Sequence, residues 1–337
     1  MTDPTSILAF RNGSIGNTLV AVPALRALKR RYPRARLSVV VDPVGYELLE
    51  YCPWIDHLIV YDRRDRHGSL RGYLSLVGEL RRQAPSHAVL FKRFLRNGLL
   101  AFLSGAAVRA GFSTEGKAHF LNLTIPYDET INIVDLNLKL AACMGAPSAD
   151  RSLELHLTEA DRSQGASLVE QRIGRGTPYV VAYYGGQTVP PESLLPVGVF
   201  ARMLRSLTEN RISVVLTGAG RHEKELATDI LNALPHPVIL MDLPIRVSAA
   251  IIKGASLMIG MNSGPTHIAA AVGTPLLVLI RPDTPTFSEQ RKWLPVGNNV
   301  FPFQIPPDAQ FDGWEWRAHE SYERAHELLR QLTPAAI

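Results

Sequence analysis

The sequence predicts an α/β protein made of two Rossmann-like parallel sheets in tandem. Short β-branched apolar runs alternate with amphipathic stretches along the chain, the pattern of strand–helix units that feed parallel sheets. The alternation pauses once, at Met144–Arg151 (MGAPSADR), and then begins again. A length of 337 residues suits two domains better than one, and 46% hydrophobic with 20% charged residues supplies a sizeable core.

In the first half, strands are expected at Ser6–Phe10, Leu37–Val41, His57–Tyr61, His87–Phe91 and Val108–Ala110. Helical stretches such as Thr18–Arg31 and Ser69–Gln83 separate them. A helix over Glu159–Ile173 leads to GRGTP, so the boundary is expected between residues 145 and 178, giving domains 1–155 and 156–337. The second series has strands at Tyr179–Tyr184, Ser213–Thr217, Val238–Leu240, Leu257–Gly260 and Leu276–Ile280. Its helices are expected near Val197–Glu209, Glu223–Leu234 and Thr266–Val272, with a final amphipathic helix over Trp314–Leu332. Ligands of open parallel sheets sit outside the carboxyl ends of the strands. Two such domains facing each other would therefore form a cleft walled by strand-to-helix loops.

Charge and composition narrow the function. The net charge is +5, with +6 in residues 1–150 and −1 in the remainder. This excess lacks a long Lys/Arg run or interleaved aromatics, which disfavours nucleic acid and leaves an anionic substrate or a membrane surface open. No stretch approaches the ~18 apolar residues of a membrane span, and the start lacks signal-peptide order, so a cytoplasmic protein is expected. Cys52 and Cys143 lie 91 positions apart without metal-ligand spacing and are expected as buried free thiols. Neither a nucleophile elbow nor a Ser/His/Asp set is present, which weakens hydrolase mechanisms.

Five loops can carry chemistry. In RNGSIGNTLVAVPAL, Gly13 and Gly16 allow a tight turn at the end of a strand, with Ser14 and Asn17 as the polar groups. Its amides either cradle an anion or simply close the turn. In IGMNSGPTHIAAAVGTPLLVLI, Ser263, Gly264, Pro265 and Thr266 open a helix whose first N–H groups favour a phosphate. His267 either bonds that ligand or is a partly buried histidine bonded to backbone. In YYGGQTVPPESLLP, Gly185, Gly186, Gln187 and Thr188 offer amides and a hydroxyl, on a loop longer than a minimal connection. In TGAGRHE, Gly218 leaves a strand and Glu223 stands at a helix start, able to grip a ribose or base, although the helix dipole alone explains a carboxylate there. In FKRFLRN, Lys92, Arg93 and Arg96 either face the cleft or form a solvated charged face.

With these residues in view, the chain resembles glycosyltransferase family 9, the ADP-heptose:lipopolysaccharide heptosyltransferases, over almost its entire length. The likeness rests on GSIGNTLVAVPALRALKRRYPRARLSVVV, AGFSTEGKAHFLNLTIPYDE and MNSGPTHIAAAVGTPLLVLIRPDTP, in that order. It implies a GT-B fold, with the donor bound mainly by the second domain and the acceptor by the first. It also implies inverting transfer with no metal or cofactor, a nucleotide sugar such as ADP-heptose as co-substrate, and an anionic glycan or lipopolysaccharide-core acceptor. Peripheral contact with the cytoplasmic face of the inner membrane would follow. On this basis Ser14, Gly16, Lys92, Arg93 and Arg96 would meet the acceptor. The donor would meet Gly185 to Thr188, Ser193, Gly218, Glu223 and Asn262 to His267.

Three positions depart from the family pattern. The family's Gly-Asp, whose aspartate is the expected base, is Gly16-Asn17 here, and an amide cannot accept the proton. The family's Asp-Ser/Thr-Gly is Asn262-Ser263-Gly264, and its phosphate-contacting lysine aligns with Ser193. That last change forfeits a charge-assisted contact usually worth ~1.5–3 kcal/mol, unless Arg281, Arg246 or the helix start compensates. Glu192 and His267 are the nameable substitutes as base. The alternative is a catalytically silent nucleotide-sugar binder or assembly protein.

Overall fold

The computed structural model describes residues 3–113, 118–185, 194–234, 238–305, 323–328 and 330–331. The chain divides into two compact units, Met1–His156 and Leu157–Ile337.

The first unit contains β1 (Ser6–Phe10), α1 (Ile15–Leu19), α2 (Val22–Arg31), β2 (Arg36–Val41), α3 (Pro43–Leu49) and β3 (His57–Val60). It continues with α4 (Leu70–Arg82), β4 (His87–Leu90), α5 (Leu95–Leu103), β5 (Val108–Ser113), β6 (Leu123–Pro126) and α6 (Ile133–Cys143). Its six strands are all parallel, in the order β3-β2-β1-β4-β5-β6. The order reverses between β1 and β4, where Ile7 lies opposite His87. β1 is buried along its whole length, which is why it reads as an unbroken apolar run rather than an alternating one.

The helix expected over Thr18–Arg31 is two helices. Pro23 stands in the first turn of α2, where its missing N–H costs nothing. In the interior of one long helix it would break the ladder. α1 also starts earlier than expected, at Ile15, so Gly16 and Asn17 lie in a helical turn rather than in open loop. The first half further holds α3, α5, α6 and β6, which periodicity did not announce. Strand β6 has only four residues, ends in Pro126 and lies at the sheet edge, where a missing donor is tolerated.

The second unit contains α7 (Glu159–Ile173), β7 (Tyr179–Tyr183), α8 (Val197–Glu209), β8 (Ser213–Gly218), α9 (Arg221–Leu231) and β9 (Val238–Met241). There follow α10 (Ile245–Gly254), β10 (Leu257–Met261), α11 (Gly264–Val272), β11 (Leu276–Ile280), α12 (Phe287–Lys292) and β12 (Val300–Gln304). Again six parallel strands form one sheet, β12-β11-β10-β7-β8-β9, with the reversal between β7 and β10. This repeats the strand order of the first unit.

Helices α7 and α8 span the residues expected of them, while α9 and α11 each start two residues early. Thr158 caps α7, accepting from Asp161 N–H while Asp161 accepts in return from Thr158 N–H. The helix packs on α10 at Gly165, where a Cβ would stand 2.8 Å from that of Ala250. Strand β12 contains Pro302, which it accommodates because it lies at the sheet edge. Of the helix expected over Trp314–Leu332, residues 323–328 and 330–331 are helical, with Ala325 and Leu328 in the core. Residues 314–322, 329 and 332 lie outside those described. Both cysteines are free, but only Cys52 is buried; Cys143 is partly exposed because it ends α6. Among the described residues no helix is long and apolar enough to cross a membrane.

Candidate active site

In the second unit the loops singled out from sequence leave β7, β8 and β10, three neighbours spanning the point where strand order reverses. That is where open α/β sheets bind ligands. Tyr183 ends β7, and its hydroxyl donates to Glu223 Oε1 at 3.0 Å. The Ser263 side chain stands close to the same hydroxyl, so one phenol lies beside all three loops. Burial and the adjacent carboxylate hold this phenol far above its ordinary pKa, which keeps it a donor at any working pH.

Glu223 is thus engaged by its own surroundings. Ala219 N–H donates to its Oε2 at 2.8 Å, and burial raises its pKa against the opposing pull of these bonds. Gly218 permits the wrap, since its φ is +156° and a Cβ there would come within 2.6 Å of Glu223 Oε2. The sequence left Glu223 either to grip a ribose or base or simply to serve the helix dipole; in the structure it braces its own loop. Tyr183 was read only as a strand residue.

At the start of α11 a buried Thr266 replaces lost backbone partners. Its Oγ1 accepts from Ser263 N–H at 3.0 Å and donates to Ser263 O at 2.6 Å. Ser263 Oγ donates to Met261 O at 3.1 Å. Pro265 has no N–H, and the Thr266 N–H faces the Ser263 side chain in a capping box, which leaves the first-turn amide of Gly264 aligned with the positive end of the helix. Such an end accepts a phosphate. Asn262 Nδ2 donates to Gln290 O at 2.7 Å, a bond that an ionised aspartate could not make. His267 is only 3% exposed, more enclosed than a residue expected to meet phosphate or sugar.

The cations expected to offset Ser193 are both neutralised. Arg281 pairs with Asp283 at 3.0 Å and donates to Leu194 O at 2.8 Å, while Arg246 pairs with Asp161 at 2.6 Å. The helix start is the remaining compensation. Gly185 ends the described part of its loop with φ +157°, and Gly186, Gln187, Thr188, Glu192 and Ser193 lie outside the described residues.

In the first unit, the loops after β1 and β4 flank the equivalent reversal. Arg11, 1% exposed, follows β1 and donates from Nη1 to Phe91 O at 2.8 Å and from Nη2 to Asn17 Oδ1 at 2.9 Å. Its Nε donates to Asn17 O. Asn17 Nδ2 in turn donates to Ser14 Oγ at 2.8 Å. Gly13 N–H donates to Asp42 Oδ2 at 2.8 Å, and a Cβ on Gly13 would stand 3.0 Å from Lys92 Nζ and 3.2 Å from Asn17 Cβ. Lys92 therefore stands against the first loop. Burial lowers its pKa, and the charge of Arg11 adds to the effect. Burial pushes Arg11 down to about 9, which leaves it charged at neutral pH.

The other two cations of that motif diverge from Lys92. Arg93 pairs with Glu129 at 3.3 Å and stacks 3.5 Å from the centre of the Tyr127 ring. Arg96 donates to Tyr61 Oη at 3.3 Å and lines a cleft of about 320 Å³ with Asn12, Tyr61, Arg63, Phe94 and Leu95. Arg11 escaped notice because it was counted as the first loop residue. A charge placed directly after the apolar run Ile7–Phe10 was the signal available.

Two Rossmann-like units, each with polar loops at its strand-order reversal, define a protein of the GT-B fold. The model of glycosyltransferase family 9 (heptosyltransferase) matches residues 73–304, and the chain belongs to that family of glycosyltransferases. It is 23% identical over 283 residues to the lipopolysaccharide core heptosyltransferase OpsX of Haemophilus influenzae, covering 82% of this chain and 79% of that one. Among solved structures, a family 9 glycosyl transferase from Veillonella parvula superposes with a TM-score of 0.83 at 20% identity, over 97% of this chain and 98% of that one. The ADP-heptose lps heptosyltransferase II of E. coli gives 0.78 at 20% identity, over 97% and 99%.

Proposed function

We propose that this protein transfers a sugar, heptose in the first instance, from a nucleoside-diphosphate donor to an anionic glycan or lipopolysaccharide-core acceptor. The observation that carries the proposal is the meeting of three loops at Tyr183, with Glu223 on one side and the phosphate-ready start of α11 on the other. ADP-heptose is the first donor to test, since it is named for the E. coli enzyme of the same fold. The second unit binds the donor and the first unit the acceptor. In inverting transfer the acceptor hydroxyl oxygen attacks the anomeric carbon and gives its proton to a base. The bond from that carbon to phosphate breaks, and the nucleoside diphosphate leaves with the electron pair. The Gly264 N–H and the positive end of α11 stabilise the charge that develops there, in a transfer that uses no metal. Asn17 orients the acceptor, and with His267 enclosed, Glu192 is the nominated group left to take the proton. The protein works at the cytoplasmic face of the inner membrane.

Calorimetric titration with ADP, UDP and GDP, followed by assays of acceptor-dependent nucleotide release, tests this. Selective ADP binding with release only in the presence of acceptor is the expected result. Tight binding without release under any acceptor would identify the silent binder that Asn17 and Asn262 favour. An absence of binding would defeat both.

A further inference from the structure

In the second unit the loop between β10 and α11 is flanked on two sides. Toward β7 and β8 stand Tyr183 and Glu223; toward β11 stands Gln290, to which sugar transfer as described gives no part. Gln290 lies in α12, a helix of six residues, and is 9% exposed. So short a helix is poorly held by its own backbone bonds.

The Gln290 side chain supplies what the backbone lacks. Its Oε1 accepts from Arg281 N–H at 3.2 Å, while Nε2 has Thr284 Oγ1 at 2.8 Å and both Arg281 O and Thr286 Oγ1 at 3.2 Å. Turning this amide over would set N–H against N–H and oxygen against oxygen, so only one orientation fits. Arg281 in turn donates to Leu194 O at 2.8 Å, in the connection from β7 to α8. One buried side chain thus fastens the loop after β11 and, through Arg281, reaches the connection after β7.

The backbone oxygen of Gln290 extends this order to a second amide. It accepts from Asn262 Nδ2 at 2.7 Å, and because a carbonyl can only accept, it fixes which end of Asn262 faces it. The Asn262 Oδ1 is left on the opposite edge of the amide. Asn262 is only partly buried, and among the described residues its Oδ1 accepts from no donor. An oriented, uncharged acceptor therefore stands immediately before the Ser263–Gly264 helix start.

Phosphate oxygens have no proton to offer such an acceptor, and a hydroxyl does. With the diphosphate at the start of α11 and the nucleoside beside Glu223 on the β8 flank, the hydroxyl available on the β11 flank is that of the transferred sugar. We propose that Gln290 is a positioning residue for the donor sugar: its carbonyl holds the Asn262 amide so that Oδ1 accepts from a sugar hydroxyl next to the diphosphate. This assignment rests on the transferase reading given above.

Calorimetric titration of the full chain with ADP and with ADP-heptose tests it, the readout being the ratio of the two affinities. Asn262→Ala should lower the preference for ADP-heptose over ADP roughly three- to tenfold, the usual effect of one lost hydrogen bond. Asn262→Asp should lower it as far, since an ionised carboxylate cannot donate to Gln290 O. Gln290→Met, similar in volume but without the polar contacts, should lower the ratio in the wild-type background and leave it unmoved in the Asn262→Ala background. A purely structural Gln290 would weaken both ligands alike and keep the ratio constant, which overturns the proposal. An Asn262→Asp protein with the wild-type ratio overturns it too. Should Gln290→Met fail to fold, the two Asn262 variants still decide the matter. ADP binding without ADP-heptose binding would defeat this inference and leave the nucleotide site standing, whereas binding of neither ligand would defeat the transferase reading itself.

Discussion

A guanidinium buried at the end of an apolar strand persists only where its donors are used, and Arg11 spends three of them on Phe91 O and the two oxygens of Asn17. Its partner is an amide where the family pattern has a carboxylate. Asn17→Asp keeps the side-chain shape, and Ser14 Oγ, a hydroxyl, can turn from acceptor to donor. The variant should therefore fold normally and place a potential base beside the acceptor loop. We predict a rise in kcat of roughly tenfold or more with an unchanged donor KM, measured by steady-state nucleotide release. An unchanged kcat would mean that this loop stays clear of the reacting hydroxyl. In unit two, Thr266→Val removes the hydroxyl that serves Ser263 N–H and O. It should weaken ADP binding severalfold and cost about 1–3 kcal/mol of stability by leaving that N–H without its acceptor. Titration calorimetry and urea unfolding read the two effects. Glycines and hydroxyls at loop positions were legible because turn chemistry is local. Tyr183 and Arg11 were not, because their roles depend on partners brought by strands 40 and 80 positions away.

Helix α7 shows what an element gains when one side chain serves two structures. Asp161 completes the cap with Thr158 and also pairs with Arg246 at the start of α10. Burial alone would raise its pKa, but the bonds from Arg246 and Thr158 prevail and hold it below the ordinary value. A depressed carboxylate contributes stability above its unfolded pKa of about 3.9, and that contribution is lost as pH falls through the lower folded value. Asp161→Asn should cost about 3 kcal/mol at neutral pH, read from urea unfolding. The gap to wild type should close in acid below about pH 4. An equal gap at both pH values would show that the ion pair contributes little. Long amphipathic elements such as α4 and α8 were readable from periodicity because two or more turns repeat the pattern. Short elements were not: α3 has seven residues and is set by the Asp42 cap, whose Oδ1 accepts from Gly45 N–H. Edge strands β6 and β12 contain proline, which counts against a strand until the sheet edge is known.

Across the whole molecule the two units have the same strand order, each with its own candidate loops at the reversal. The sequence conveyed the two-sheet plan through its single pause, but strand order itself depends on pairings that no local pattern encodes. If the donor belongs to the second unit, ADP should slow amide hydrogen exchange after β7, β8 and β10 and leave Gly13 to Asn17 unchanged. Mass-spectrometric exchange checks this at saturating nucleotide, where binding at 100 times Kd adds about 2.7 kcal/mol. Protection in the first unit alone would reverse the assignment.

The pairing of β7 with β10 also has a consequence during translation. Val180 lies opposite Leu257, so the middle of the second sheet cannot close until the ribosome has passed Met261. Until then β7, β8 and β9 can pair only with one another, and the apolar edge of β7 stays open to other nascent chains. Stalling or truncation before residue 257 would leave a sticky half-sheet, and soluble yield should respond to elongation rate and to chaperones that shield strand edges.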